Sequence, residues 1–78
     1  MKLSYEEVDL SGAKLNEVFL NNAFLIGANL SEADLIGAHL TDANLIGVNL
    51  TASKILESEL ESASSLENIT MPDGTKHE

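Results

Sequence analysis

Two histidines, His39 and His77, are the side chains best suited to move protons near neutral pH. Asp42, Glu57, Glu59 and Glu61 are the carboxylates that could pair with them or hold a cation. Their settings support neither role. His39 precedes the centre Leu40 within its unit in GAHLTDAN and reads as an outward side chain, and His77 falls in the tail PDGTKHE. Without cysteine there is no thiol nucleophile, no thiolate metal site and no disulfide. The four carboxylates lack the spacing of a calcium loop, and the calcium-binding Gly-Gly-x-Gly-x-Asp repeat does not occur. We therefore expect no catalytic residue, no metal site and no cofactor, and hence no enzyme.

Composition narrows the remaining classes. The chain has 78 residues, one small domain, with 44% hydrophobic residues but only 4% aromatic ones and no Trp, so a core of bulky rings is excluded. Thirteen acidic against four basic side chains give a net charge of −9, which disfavours direct binding to nucleic acid or anionic lipid and favours a basic partner. The start MKLSYEEVDL lacks the apolar stretch of a signal peptide, and no apolar run approaches the length of a membrane span. The expected location is cytoplasmic.

The elements that must position these residues show in a period of five. Leucine recurs at Leu10, Leu15, Leu20, Leu25, Leu30, Leu35, Leu40, Leu45 and Leu50, followed by Ile55 and Leu60. Five steps scatter around a helix, and they alternate faces on a strand. Two residues before each centre stands a small or β-branched residue, from Val8 and Ala13 through Ala43 and Val48 to Ser53 and Ser58. The residue between is mostly polar, as in Asp9, Lys14, Asn29, Asp34, His39, Asn44 and Asn49. Each unit thus reads inward, outward, inward, then two corner residues, and Gly12, Gly27, Gly37 and Gly47 all fall at the second corner position.

Three extended residues and a corner, repeated, wind the chain into a coil. With corners near a right angle, four units close one square turn and successive turns stack about 4.8 Å apart through parallel backbone pairing. Leucines fill the middle, so the coil offers no cleft for catalysis. Stability then comes from neighbour-to-neighbour stacking. The period alone fixes neither the number of sides nor the hand.

The strings ANLSE, ADLIG and ANLIG, with AHLTD close behind, resemble the A-(D/N)-L-x-x motif of the pentapeptide-repeat proteins. That resemblance covers residues 8–62. It implies an all-β fold, a right-handed quadrilateral parallel β-helix or solenoid of about three coils. Phe19 and Phe24 depart from it by replacing the usual polar residue, and Ser53 and Ser58 by replacing alanine. The resemblance also implies a non-catalytic structural or protein-interaction module. The alternative it suggests is an acidic DNA mimic that inhibits DNA gyrase or another DNA-binding protein.

Three segments follow. Residues 1–7 form an N-terminal cap or partial first repeat, in which Leu3 and Tyr5 supply an inward pair. Residues 8–62 are the repeat coil. Residues 63–78 hold phase-shifted repeats with centres Leu66 and Met71, then a terminal cap with the turn signal Asp73-Gly74. Leu66 follows Leu60 by six residues, which predicts a bulge or loose corner near Ser62 to Ser65.

Residues twenty apart lie above one another in a square coil. Lys14, Asp34 and Lys54 then make an alternating-charge column, and Asp9, Asn29 and Asn49 a polar ladder with hydrogen bonds running along the solenoid. Ile26 stacks with Ile46, and Ile36 with Leu56 on the opposite face. Phe24 shares a face with Ile26, with Phe19 just before that corner. We expect Phe19, Phe24, Ile26 and Ile46 to face a partner: another protein, a second copy in a homodimer, or a repeat protein stacked on this one. The rival contact is the pair of open coil ends.

Overall fold

From Glu7 to Ala52 the chain makes the same corner ten times. At each, the second corner residue takes a positive φ between 57° and 86°, whether it is Gly (12, 27, 37, 47) or Glu7, Glu17, Asn22, Glu32, Asp42 or Ala52. The residue after the corner donates its N–H to the carbonyl of the leucine before it, as in Ala33 to Leu30 at 3.1 Å and Ala38 to Leu35 at 2.9 Å. This is the pattern of a type II turn, whose third residue needs φ above zero. In this computed structural model residues 7–76 are described. Residues 1–6, with the expected inward pair Leu3 and Tyr5, lie outside them, as does His77.

The corners bring residues twenty apart into register. Parallel bridges join Asp9 to Asn29 and Asn29 to Asn49, Lys14 to Asp34 and Asp34 to Lys54, Phe19 to His39, and Phe24 to Asn44. There are thus four bridge columns per turn. Each rung is reciprocal: Leu30 N–H donates to the Asn49 carbonyl at 2.8 Å, and Asn49 N–H donates to the Ala28 carbonyl at 3.0 Å. The three-residue strands expected from sequence are not formed as such. The reciprocal bridge is confined to the middle residue of each unit, because a corner begins directly after the leucine. Second corner residues add single turn-to-turn bonds, as in Glu32 N–H to the Thr51 carbonyl at 2.8 Å, but no bridge among the described residues extends into a strand.

Inside the coil the two inward residues of each unit make the core. Leu20, Ala23, Leu25, Ala28 and onward to Leu50 are buried, whereas Val8, Leu10, Leu15 and Val18 in the first turn are only partly so. Ser53 takes an alanine position there and is buried, but its Oγ has no hydrogen-bond partner.

One segment breaks the all-β expectation. Glu57–Ser62 forms a short helix, α1. Glu and Leu favour helix over strand, and Glu59 Oε1 accepts the Leu56 N–H at 2.7 Å, one half of a capping box. Leu56 has no side-chain oxygen with which to reciprocate. Leu60 still points inward and is buried, but Ser58, read as an inward residue, is exposed. The helix also absorbs the extra residue between Leu60 and Leu66, so the expected bulge near Ser62 to Ser65 is replaced by a helical turn just upstream. Pairing resumes one residue later, with Asn44 to Ser65 and Asn49 to Thr70, both twenty-one apart.

The end of the chain folds back on itself. Thr70 pairs antiparallel with Lys76, Met71 N–H donates to the Thr75 carbonyl, and the turn between them is closed by Gly74 N–H to the Met71 carbonyl at 2.8 Å. This hairpin covers the last edge of the Asp9–Asn29–Asn49–Thr70 column, an edge that would otherwise offer free backbone groups.

Candidate functional site

Side chains able to do chemistry are occupied locally rather than gathered. Asp9 Oδ1 accepts from both the N–H and Oγ of Ser11, at 3.0 and 2.7 Å. Asn29 does the same with Ser31, Asn49 with Thr51, and Asp73 with Thr75. The polar ladder therefore bonds within each unit and not along the coil, because the corner N–H two residues on is nearer than the next turn's side chain. In Asp9 and Asp73, first the hydroxyl and then the backbone donor hold the carboxyl below its ordinary range. Asp34 directs Oδ1 to Asn16 Nδ2 at 2.8 Å and to Ile36 N–H at 3.2 Å, and among the described residues no ion pair forms in the Lys14–Asp34–Lys54 column.

His39 is exposed, and its neighbour is a ring. The imidazole stacks on Phe19 with centroids 4.5 Å apart and planes 18° from parallel. Among the described residues no group of three or more His, Cys, Asp or Glu is placed to hold a metal ion. Concavities occur at the two ends of the coil. One, of about 390 Å³, is lined by Ile55, Leu60, Leu66, Ile69, Met71 and Pro72 with Glu57 and Glu61 beside them, and the other, of about 280 Å³, is lined wholly by apolar side chains from Val8 to Leu20. Neither gathers the convergent polar groups a catalytic pocket needs.

The outer wall carries the more distinctive feature. Among the described residues the exposed large hydrophobics are Phe19 at 72%, Leu56 at 49% and Ile36 at 39%. All three belong to the Phe19–His39 face or to the corner that leads into it. Ile36 precedes His39 in the second turn, and Leu56 stands one turn below Ile36, at the start of α1.

Pentapeptide repeats, in eight copies, match residues 6–42. Residues 6–42 are pentapeptide repeats. No curated protein and no solved structure matches it. The matched repeats stop at Asp42, yet the backbone ladder continues through Asn44, Asn49 and Lys54 to Thr70, beyond the stretch that the family match covers. Pentapeptide repeats are in general non-catalytic structural modules.

Of the four residues read as partner-facing in this chain, Phe19 is far out in solvent, while Phe24, Ile26 and Ile46 are half-buried. Ile26 and Ile46 do share a corner column, where Gly27 N–H donates to the Ile46 carbonyl at 2.8 Å. Phe24 stands in the column before that corner, bridged to Asn44, and Phe19 in the column before that. Sequence reasoning gave Ile36 and Leu56 to the opposite face and passed over them. No sequence signal marked them, since Ile36 and Leu56 hold the same position in their units as Ile26 and Ile46.

Proposed function

We propose that this chain is a non-catalytic module that docks another protein on its outer wall, and that its coil is the right-handed quadrilateral β-helix its repeats generally form. The four bridge columns per twenty residues support that geometry. The observation that carries the docking reading is the convergence of Phe19, Ile36 and Leu56 on one side of the coil. A single exposed apolar residue on a folded surface needs no explanation. Three that converge, one of them a phenylalanine where the repeat prefers a polar residue, make a patch of the kind that partners cover.

Leu56 adds weight to the reading. At a helix N-cap, leucine forgoes about 1 kcal/mol available to Ser, Thr or Asp. A locally unfavourable residue that is also exposed belongs to the class of positions retained for contact rather than for stability.

The test compares the parent with Phe19→Ala plus Ile36→Ser, after both are shown to melt alike. Each is immobilised and exposed to a cell extract, and any retained protein is then purified and titrated against both. A partner that binds the parent and is lost by the double variant supports docking on this wall. Equal retention by both, or none by either, overturns it.

A further inference from the structure

We infer that the Phe19–His39 face receives an arginine-bearing segment of its partner, an inference that rests on the docking reading and names the partner's chemistry. The face joins two features that one kind of side chain satisfies together. At its centre is an exposed aromatic ring stacked on an imidazole. Beside it are carboxylates at the corners that flank the column: Glu17 at the corner before Phe19 and Asp42 at the corner after His39, both exposed.

Glu17 lies along that corner, its Cγ only 3.1 Å from where a Cβ on Gly37 would stand, so its side chain is laid against the wall beside the platform. The described lysines stand on other faces: Lys14 and Lys54 in the preceding column, and Lys76 in the terminal hairpin. No lysine on the Phe19–His39 face itself, among the described residues, competes for these acids.

Charge complementarity selects the occupant. A net charge of −9 on each chain opposes pairing this face with its own copy and favours a basic partner. An ammonium would meet the carboxylates as a point charge. A guanidinium can also lie flat on the phenyl ring while its N–H fork reaches an acid. A lysine ammonium is also drawn to the Phe19 face, but it cannot lie flat there and fork to an acid at once, so arginine is preferred.

The probes are a short peptide alternating arginine with glycine and its lysine counterpart of equal charge, titrated against the full chain while the His39 ring resonances are followed by NMR. The expected result is that the arginine peptide binds roughly fivefold tighter than the lysine peptide and moves the His39 resonances. Phe19→Ala should erase that preference. Asp9→Asn plus Glu32→Gln, which removes two charges from elsewhere on the coil, should lower both affinities together and leave their ratio intact. Equal affinity for the two peptides, or a preference that survives Phe19→Ala, overturns the inference. Either outcome leaves the docking reading to its own partner-retention test, so the two failures are distinguishable.

Discussion

The ring of Phe19 lies over the imidazole of His39, 4.5 Å between centroids and nearly parallel, though the two residues are twenty apart in the chain. Only a coil that returns to the same column every four units can bring them together. Phe19 is also the most exposed large hydrophobic residue among those described. The stack therefore reports the register of the whole coil from its surface, where substitution leaves the core alone.

Replacing Phe19 by alanine should move the His39 ring protons downfield, because they lose the shielding of the phenyl face, while stability falls by no more than about 1.5 kcal/mol. One-dimensional NMR of the two proteins, with a thermal melt of each, checks both halves. Unmoved His39 resonances would mean that the twenty-residue register is not held on this face.

The core is far less tolerant. Leu35 is wholly buried between the turns above and below. Leu35→Asp would leave a carboxylate there without a partner, a cost of several kcal/mol against a total stability that for small domains is only about 5–15 kcal/mol. Circular dichroism should show the loss of a cooperative melt, whereas Lys14→Gln on the outer wall should melt with the parent.

Ser53 offers the opposite change. Its hydroxyl is buried in an alanine position with no hydrogen-bond partner. Ser53→Ala should stabilise the fold by about 1 kcal/mol, and for a chain of this size that raises Tm by about 4–8 °C. A variant that melts at or below the parent temperature would show that the hydroxyl finds a partner in solution.

Corners respond to the sign of φ. Ala52 holds φ at 61°, a region where a Cβ is strained, and Ala52→Gly should gain about 0.5–1 kcal/mol. Gly37, at φ 86°, is the converse: an added methyl would be strained and would press on the Glu17 side chain. Gly37→Ala should lose about 1 kcal/mol. Denaturant melts of the pair should move in opposite directions.

Acid should weaken the coil through Asp9 and Asp73. Both carboxyls sit below their ordinary value of 3.8 in the folded chain, held there first by a hydroxyl donor and then by a backbone N–H. A carboxyl depressed on folding adds stability above its unfolded pKa and loses it as pH falls through the folded one. Their contribution should therefore be complete at neutral pH and fade below about pH 4. Asp9→Asn plus Asp73→Asn keeps the Oδ1 acceptor, as Asn29 and Asn49 already do, and should flatten that part of the acid limb. Melting temperatures measured from pH 6 to pH 3 would expose an unchanged slope.

The repeat was legible because its physics is local. A leucine every five residues with a small residue two before it dictates which side chains turn inward, and glycine at the second corner position announces a positive φ. The chain that resulted buries Leu20 to Leu50 as that pattern requires. Sequence alone could also place Leu66 and Met71 as later centres, since Ser65 and Thr70 just before them do re-enter the ladder.

Three things were decided only by the assembled coil. Strand length was one, because the reciprocal bridge forms only where neither neighbour belongs to a corner, and a single residue per unit meets that condition. Helix α1 was another: with Leu56 at its N-cap, half of the usual start signal is missing, and the bond from Leu56 N–H to Glu59 takes hold once the six-residue spacing to Leu66 has broken the repeat. The exposed face was the third. Ile26, Ile36, Ile46 and Leu56 occupy the same position in their units, yet Ile26 and Ile46 are half-buried while Ile36 and Leu56 stand out. Sequence assigns all four to one outward class, and only the neighbours each column acquires in the third dimension tell them apart.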